Sequence, residues 1–370
     1  MGNITSGASS TCIWHEICEQ PAAIQRALAG TLPVITQVAQ MVRQREIDLI
    51  VLVARGTSDH AALYAQYVFQ YLNGIPVALG TPSIVTLYGA RLRLSRALVI
   101  GISQSGAAPD VSAVLEHARK EGALTLGITN VEGSLLASTA EYTLYCDAGQ
   151  ELSVAATKTY TTTCAILMQL SAHLPGGEPL TPYLACVPDL VAVALRSEPL
   201  VQAGVLRYVH ARDCVVLGRV FDYCTARETA LKLSETCYLV AIPFSTADFQ
   251  HGPAALVEYG RPVILYAPSG RTLADSHELL KLLNKQGADS IVIAEDARLL
   301  ELATTPIPLQ VPLPTDQITG REASVPIAVA ELLAPLPSIV YGQFLALHLS
   351  LSKGLNPDTP RGLSKVTRTL

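Results

Sequence analysis

At 370 residues the chain exceeds what one hydrophobic core usually serves, and 49% hydrophobic against 15% charged residues supply side chains for two large cores. A net charge of −5 without any basic run argues against nucleic acid as a partner. The mean hydropathy of +0.34 invites a membrane reading, yet the apolar runs look too short for the ~20 residues of a spanning helix. The stretch Ala323 to Leu349, for example, is interrupted by Glu331 and by prolines from Pro326 onward.

The polar start, Met1-Gly2-Asn3-Ile4-Thr5-Ser6, formally fits an acylation pattern but reads as a frayed tail, and no apolar leader follows it. From there the chain alternates strand-like and helix-like segments. A β-branched run, Asp48 to Ala54, ends in Arg55-Gly56-Thr57-Ser58 and precedes helical spacing from Asp59 to Tyr71. A second run, Ala97 to Ile102, ends in Ser103-Gln104-Ser105-Gly106 and leads into a helix over Pro109 to Glu121. Strands are expected at Leu124 to Thr129 and Tyr142 to Cys146, and a helix at Thr159 to Ala172. Strand, turn and helix repeated in this way predict an α/β fold, with parallel sheets flanked by helices on both faces.

Beyond the Gly- and Pro-bearing stretch Gly176 to Val187 the plan is written again. The expected strands are Cys214 to Leu217, Pro262 to Ala267, Ser290 to Ala294 and Ile307 to Val311, with helices at Thr225 to Cys237, Thr272 to Lys285 and Ser338 to Leu351. The turn Pro268-Ser269-Gly270 echoes the earlier Ser-Gly turn. Two duplicated domains follow: a tail and helix over 1–30, a first domain over 31–175, a linker over 176–200, a second domain over 201–355 and a tail over 356–370. Eight cysteines without a CxxC spacing or a His cluster give no metal site and no disulfide framework, and they point to a reducing, cytoplasmic setting. Cys164 and Cys214, inside apolar segments, read as small buried thiols.

Ligands of open parallel sheets gather beyond the carboxyl ends of the strands. Gly56-Thr57-Ser58 and Ser103-Gln104-Ser105-Gly106 both fall there, each combining hydroxyls with the start of a helix, where free N–H groups and the dipole favour an anion. Either turn alone reads as ordinary capping serines; together they favour a phosphate cradle. Neither a Walker lysine nor a GxGxxG spacing is present, which disfavours nucleotides. Glu228, Lys232 and Glu235, spaced by four and three, share one helix face. With His251-Gly252-Pro253 in a following loop, they offer groups that could divide proton transfers near neutral pH. The basic tail Pro360-Arg361-Gly362-Leu363-Ser364-Lys365 is a third cluster.

In order and spacing these segments resemble the SIS (sugar isomerase) family, particularly the isomerase half of glucosamine-6-phosphate synthase and the type II glucosamine-6-phosphate deaminases. The likeness runs from Glu16-Ile17-Cys18-Glu19-Gln20-Pro21 through Val154-Ala155-Ala156-Thr157-Lys158 to the tail. It implies two tandem SIS domains, each with a flavodoxin-like or Rossmann-like sheet, and a phosphorylated sugar as ligand without a cofactor. Ser58, Ser103, Gln104 and Ser105 match its phosphate-binding residues, with Gly56, Thr57 and Val154 beside them. Glu235 matches the carboxylate that moves a proton between C1 and C2, and His251 the ring-opening histidine that a second subunit supplies, which implies a homodimer. Lys365 matches the lysine that meets the open-chain ketone, and Glu228, Lys232 and Arg361 match supporting residues. Ala108 and Ala156 stand where the family has hydroxyls. No glutaminase activity of the synthase's kind is expected from this sequence, in which residue 2 is Gly rather than a nucleophilic Cys. The expected activity is therefore isomerisation of an amino- or keto-hexose 6-phosphate with loss of ammonia. The alternatives are a simple aldose–ketose isomerase and a non-catalytic sugar-phosphate sensor.

Overall fold

A computed structural model describes residues 5–310 and 327–365. The acylation-pattern residues Met1 to Ile4, the Val311 end of the last expected strand and Pro326 lie outside the described residues. The chain folds as two compact units. The first is built on Ala22–Glu151 and Lys158–Ala185, with the tail from Ser364 on. The second is built on Cys186–Leu363, with the N-terminal segment to Pro21 and the short stretch Leu152–Thr157. Beside the spans 31–175 and 201–355 expected for the two domains, the units thus exchange short segments.

Within the second unit those segments are held by carboxylates. Glu16 accepts hydrogen bonds from the Leu152 and Ser153 N–H groups and from the Ser153 hydroxyl. Asp358 accepts from the Cys12 and Ile13 N–H groups, both at 2.9 Å, and so caps the helix Cys12–Cys18. The Val154 N–H donates to the Asp358 carbonyl at 3.1 Å. Capping groups of this kind satisfy helix-end donors that nothing inside the helix can reach.

The first unit carries a parallel sheet of β1 (Leu49–Val53), β2 (Val77–Leu79), β3 (Ala97–Ile102), β4 (Leu124–Thr129) and β5 (Tyr142–Tyr145), in the order β2-β1-β3-β4-β5. The second carries β6 (Asp213–Gly218), β7 (Val240–Ser245), β8 (Pro262–Ala267), β9 (Asp289–Ala294) and β10 (Thr305–Pro308), in the order β10-β9-β8-β6-β7. Read in one direction both are 2-1-3-4-5, the flavodoxin-type order, and every pairing is parallel. The interior strands β3 and β4 are buried at every residue, which is why they read as unbroken apolar runs rather than alternations.

The cores repeat as well. In the first unit Val51, Val53 and Val99 pack with Val111, Val114 and Leu115 of the helix Pro109–Lys120. In the second, Val215, Leu217, Val263 and Leu265 pack with Leu279, Leu280 and Leu283 of the helix Leu273–Lys285. The apolar stretch near the C-terminus departs from the sequence expectation. Ala328–Ser352 is long and apolar enough to cross a membrane, and its apolar window is wholly buried inside the protein. Pro335 and Pro337 do not interrupt it, because they occupy the first turn of the helix Pro335–Ser352, where a missing N–H costs nothing.

Candidate functional site

In a 2-1-3-4-5 sheet the crossovers leave β1 and β3 toward opposite sides, opening a crevice beyond their carboxyl ends. The first unit sets both Ser-bearing turns at that crevice, on neighbouring strands. After β1 the chain turns at Gly56, whose φ of +55° and ψ of −130° suit only a residue without a Cβ. The helix Thr57–Val68 begins at once, so Thr57 and Ser58 form its first turn, two residues earlier than the apolar spacing predicted. After β3 the turn closes with the Gly106 N–H donating to the Ser103 carbonyl at 3.0 Å. Gly106 has a φ of +61° and packs so tightly that an added Cβ would collide with the Ser134 hydroxyl.

In sequence, either turn alone reads as ordinary capping serines. They do not cap the helices that follow them: the N-cap of Thr57–Val68 is Gly56 and that of Pro109–Lys120 is Ala108, and neither helix has a side-chain cap. Two helix N-termini therefore follow the carboxyl ends of neighbouring strands, with Ser58 in the first turn of one and Ser103 and Ser105 in the segment that leads into the other, groups of a kind that can hold an anion. The Gln104 carbonyl braces the turn by accepting from the Asn130 N–H at 2.9 Å and the Thr129 hydroxyl at 3.3 Å. Arg55, 50% exposed, reaches 2.9 Å to the fully buried carboxylate of Asp110, joining the turn after β1 to the helix after β3.

Lys365 also belongs to the first unit, and its ammonium lies 2.9 Å from Glu151 Oε2. Glu151 is fully buried and also accepts from the N–H and hydroxyl of Thr159, at the start of the helix Lys158–His173. The tail lysine is thus held in place by a carboxylate that is itself locked by hydrogen bonds.

In the second unit the helix Asp222–Cys237 presents Glu228, Lys232 and Glu235 on one face, as their spacing implies. Lys232 is buried, with its ammonium 2.7 Å from Glu235 Oε2 and 3.3 Å from Glu228 Oε1. Burial alone would depress the ammonium's pKa, but the charges of Glu228 and Glu235 outweigh it and hold the pKa above its ordinary value. Glu228 is buried as completely as Lys232, whereas the Glu235 side chain keeps 22% exposure. One carboxylate therefore anchors the lysine, while the other is oriented by it and still reachable.

Arg361 lies apart from that set. Its guanidinium stacks 4.3 Å over the Tyr238 ring, and its backbone N–H donates to the Tyr238 hydroxyl at 2.9 Å. Tyr238 is the left-handed C-cap of the helix bearing Glu235, so Arg361 supports the end of that helix. Val154 contributes its backbone N–H to Asp358. His251 is exposed at the end of the short helix Thr246–Gln250 and forms no ion pair with Glu228 or Glu235. Sequence reasoning missed Arg55, Asp110, Glu151, Tyr238 and Asp358. A charged residue next to a Gly-Thr-Ser turn or three places before Val154 was the available signal, but their partners lie too far along the chain to be read locally.

Comparison with known proteins bears on this arrangement. The chain matches the SIS domain family over residues 45–172 and 208–300. It is 35% identical over 355 residues to the isomerizing glutamine–fructose-6-phosphate aminotransferase of Pyrococcus horikoshii, covering 95% of this chain and 56% of that protein. The chain thus spans little more than half the length of that relative. A crystal structure from Silicibacter pomeroyi DSS-3, whose name places it among the phosphosugar isomerases, is 34% identical with a TM-score of 0.80, covering 94% of this chain and all of that one. The glucosamine-6-phosphate deaminase of Thermotoga maritima shares the fold, with a TM-score of 0.73 at 22% identity, over 97% of this chain and 100% of its own. With two matched segments, each on its own 2-1-3-4-5 sheet, the chain belongs to the SIS domain family as a tandem pair of such domains.

Proposed function

We propose that this chain isomerises a hexose or hexosamine 6-phosphate between its aldose and ketose forms, releasing ammonia when the substrate carries an amino group at C2. The observation that carries the reading is the Glu228–Lys232–Glu235 set: a buried lysine fixing a reachable carboxylate 2.7 Å away. A proton beside a carbonyl is weakly acidic, and its removal calls for a positioned base and a charge stabiliser. In this reading Ser58, Ser103, Gln104 and Ser105 hold the phosphate and Lys365 meets the open-chain carbonyl oxygen. Glu235 takes the C2 proton of the open-chain aldose and returns it to C1. An amino sugar then becomes a C2 imine, which water hydrolyses to the ketose and ammonia. His251, exposed on its own chain, opens the sugar ring in a second copy, so the active unit is a dimer. The names of the relatives support this substrate class: one acts on fructose 6-phosphate with isomerisation, and a fold neighbour deaminates glucosamine 6-phosphate.

The test is incubation with hexose and hexosamine 6-phosphates in deuterated water, reading ketose, ammonia and isotope at C1 and C2 together. Glu235→Gln keeps the shape but cannot accept the proton; kcat is expected to fall on the order of 10²–10⁴-fold with binding nearly unchanged. Full turnover in that variant would remove Glu235 as the base. Binding without isotope exchange in the unaltered protein would leave a sugar-phosphate sensor instead.

A further inference from the structure

The second unit has a crevice of its own, between β6 and β8, which the proposed activity does not use. The turn Pro268-Ser269-Gly270 follows β8 as Ser103 to Gly106 follow β3, and it leads into the 13-residue helix Leu273–Lys285, whose N-cap Thr272 makes no side-chain cap. Two donors of this turn are already taken. The Ser269 N–H donates to Glu295 Oε2 at 2.9 Å, and the Arg271 N–H donates to Glu331 Oε1 at 2.5 Å. The Arg271 guanidinium lies 4.0 Å from the other Glu331 oxygen, and the Glu331 side chain is only 13% exposed. It sits so close that a Cβ added at Gly270 would collide with its carboxylate. On the other side of the crevice, after β6, Asp222 opens the helix Asp222–Cys237 from a fully buried position. Backbone N–H groups of a turn, a helix start and a guanidinium are what phosphate oxygens meet at such places. Here a carboxylate of the same chain meets them.

We propose that the second crevice is a phosphate-type anion site filled by the chain's own Glu331 with Glu295 beside it, so that removing these carboxylates opens a site for phosphate that the unaltered protein lacks. A tethered carboxylate is present at every moment, whereas a free dianion would have to displace it and enter the field of Glu295. The duplication therefore produced two crevices, of which the second is closed from within. This holds whichever sugar turns over and whether or not the first unit binds phosphate.

The probe is inorganic phosphate against sodium chloride of equal ionic strength. Glu331→Ala combined with Glu295→Gln is expected to bind one more phosphate per chain than the unaltered protein by calorimetry. Its rise in Tm at about 50 mM phosphate is expected to be roughly double that of the unaltered protein. Glu331→Gln, which fills the same space without charge, covers the case in which the double variant does not fold; it is expected to show a smaller gain in the same direction. Equal phosphate responses in the unaltered protein and in every variant that folds would overturn the proposal. So would a second phosphate bound by the unaltered protein. If the unaltered protein bound no phosphate while the double variant bound one, the proposal would stand and the cradle of the first unit would fall.

Discussion

Single residues decide how the two candidate clusters behave. Ala108 is the N-cap of Pro109–Lys120, with φ −73° and ψ 108°, the extended geometry from which a hydroxyl reaches the first-turn N–H groups. Ala108→Ser is therefore expected to stabilise the protein by about 1 kcal/mol, seen as a higher Tm. It should also tighten sugar-phosphate binding if the hydroxyl adds a donor at the crevice. A lower Tm would mean that the position does not accept a cap. Lys232 offers the opposite case. Lys232→Met leaves Glu228 buried without its ion-pair partner, and breaking such a pair costs about 3–5 kcal/mol, to be read from denaturant midpoints. The double change Lys232→Met with Glu228→Gln is expected to recover most of that loss while activity stays low. The helical spacing of Glu228, Lys232 and Glu235 was plain in the sequence because helix geometry is local. That Lys232 is buried and Glu235 reachable was not, since exposure depends on what packs against the helix.

At the scale of elements, the strands of the sheet interiors and the helices that follow them were legible because their apolar runs are long. β2 was not: three residues between Pro76 and Gly80 carry no readable period. The helix Gln20–Gln44 runs through the expected domain start at residue 31, with Pro33 inside it, because its apolar face continues past that point. In the tail, Asp358 caps the helix Cys12–Cys18 through two N–H groups, a pairing across the whole chain that no local pattern announces. Asp358→Ala is expected to cost about 0.5–2 kcal/mol and to expose Arg361 to trypsin, with Asp358→Asn intermediate. Unchanged proteolysis of the alanine variant would show that the tail is held by other contacts.

The whole molecule sets the response to pH. Burial, reinforced by repulsion from Glu295 and Glu331, pushes the Asp222 carboxyl from its ordinary 3.8 up to about 7. Between pH 4 and 7 the folded chain thus keeps a proton that the unfolded chain has lost, so this group's contribution to stability falls as pH rises across that window. Asp222→Asn removes the titration, and its Tm is expected to drop less between pH 5 and pH 8 than that of the unaltered protein. An identical drop would place Asp222 in a solvated site. The residues behind this shift, like those behind the lysine held at Glu151, are 73 to 214 positions from their partners.

Local patterning was enough to establish the α/β class, the duplication and the turns that flank the first crevice, since strand runs, helix periods and Gly-Ser turns each depend on a few neighbouring residues. Strand order is another matter. The 2-1-3-4-5 arrangement that opens a crevice between β1 and β3, and again between β6 and β8, arises from crossovers between segments far apart in the chain. The same is true of the contrast between the crevices. In sequence, Ser103-Gln104-Ser105-Gly106 and Pro268-Ser269-Gly270 look like versions of one turn. Only folding brings Glu331, 60 residues further along from Arg271, onto the second turn. Long-range electrostatics of that kind are settled by packing, and no window of sequence contains both partners.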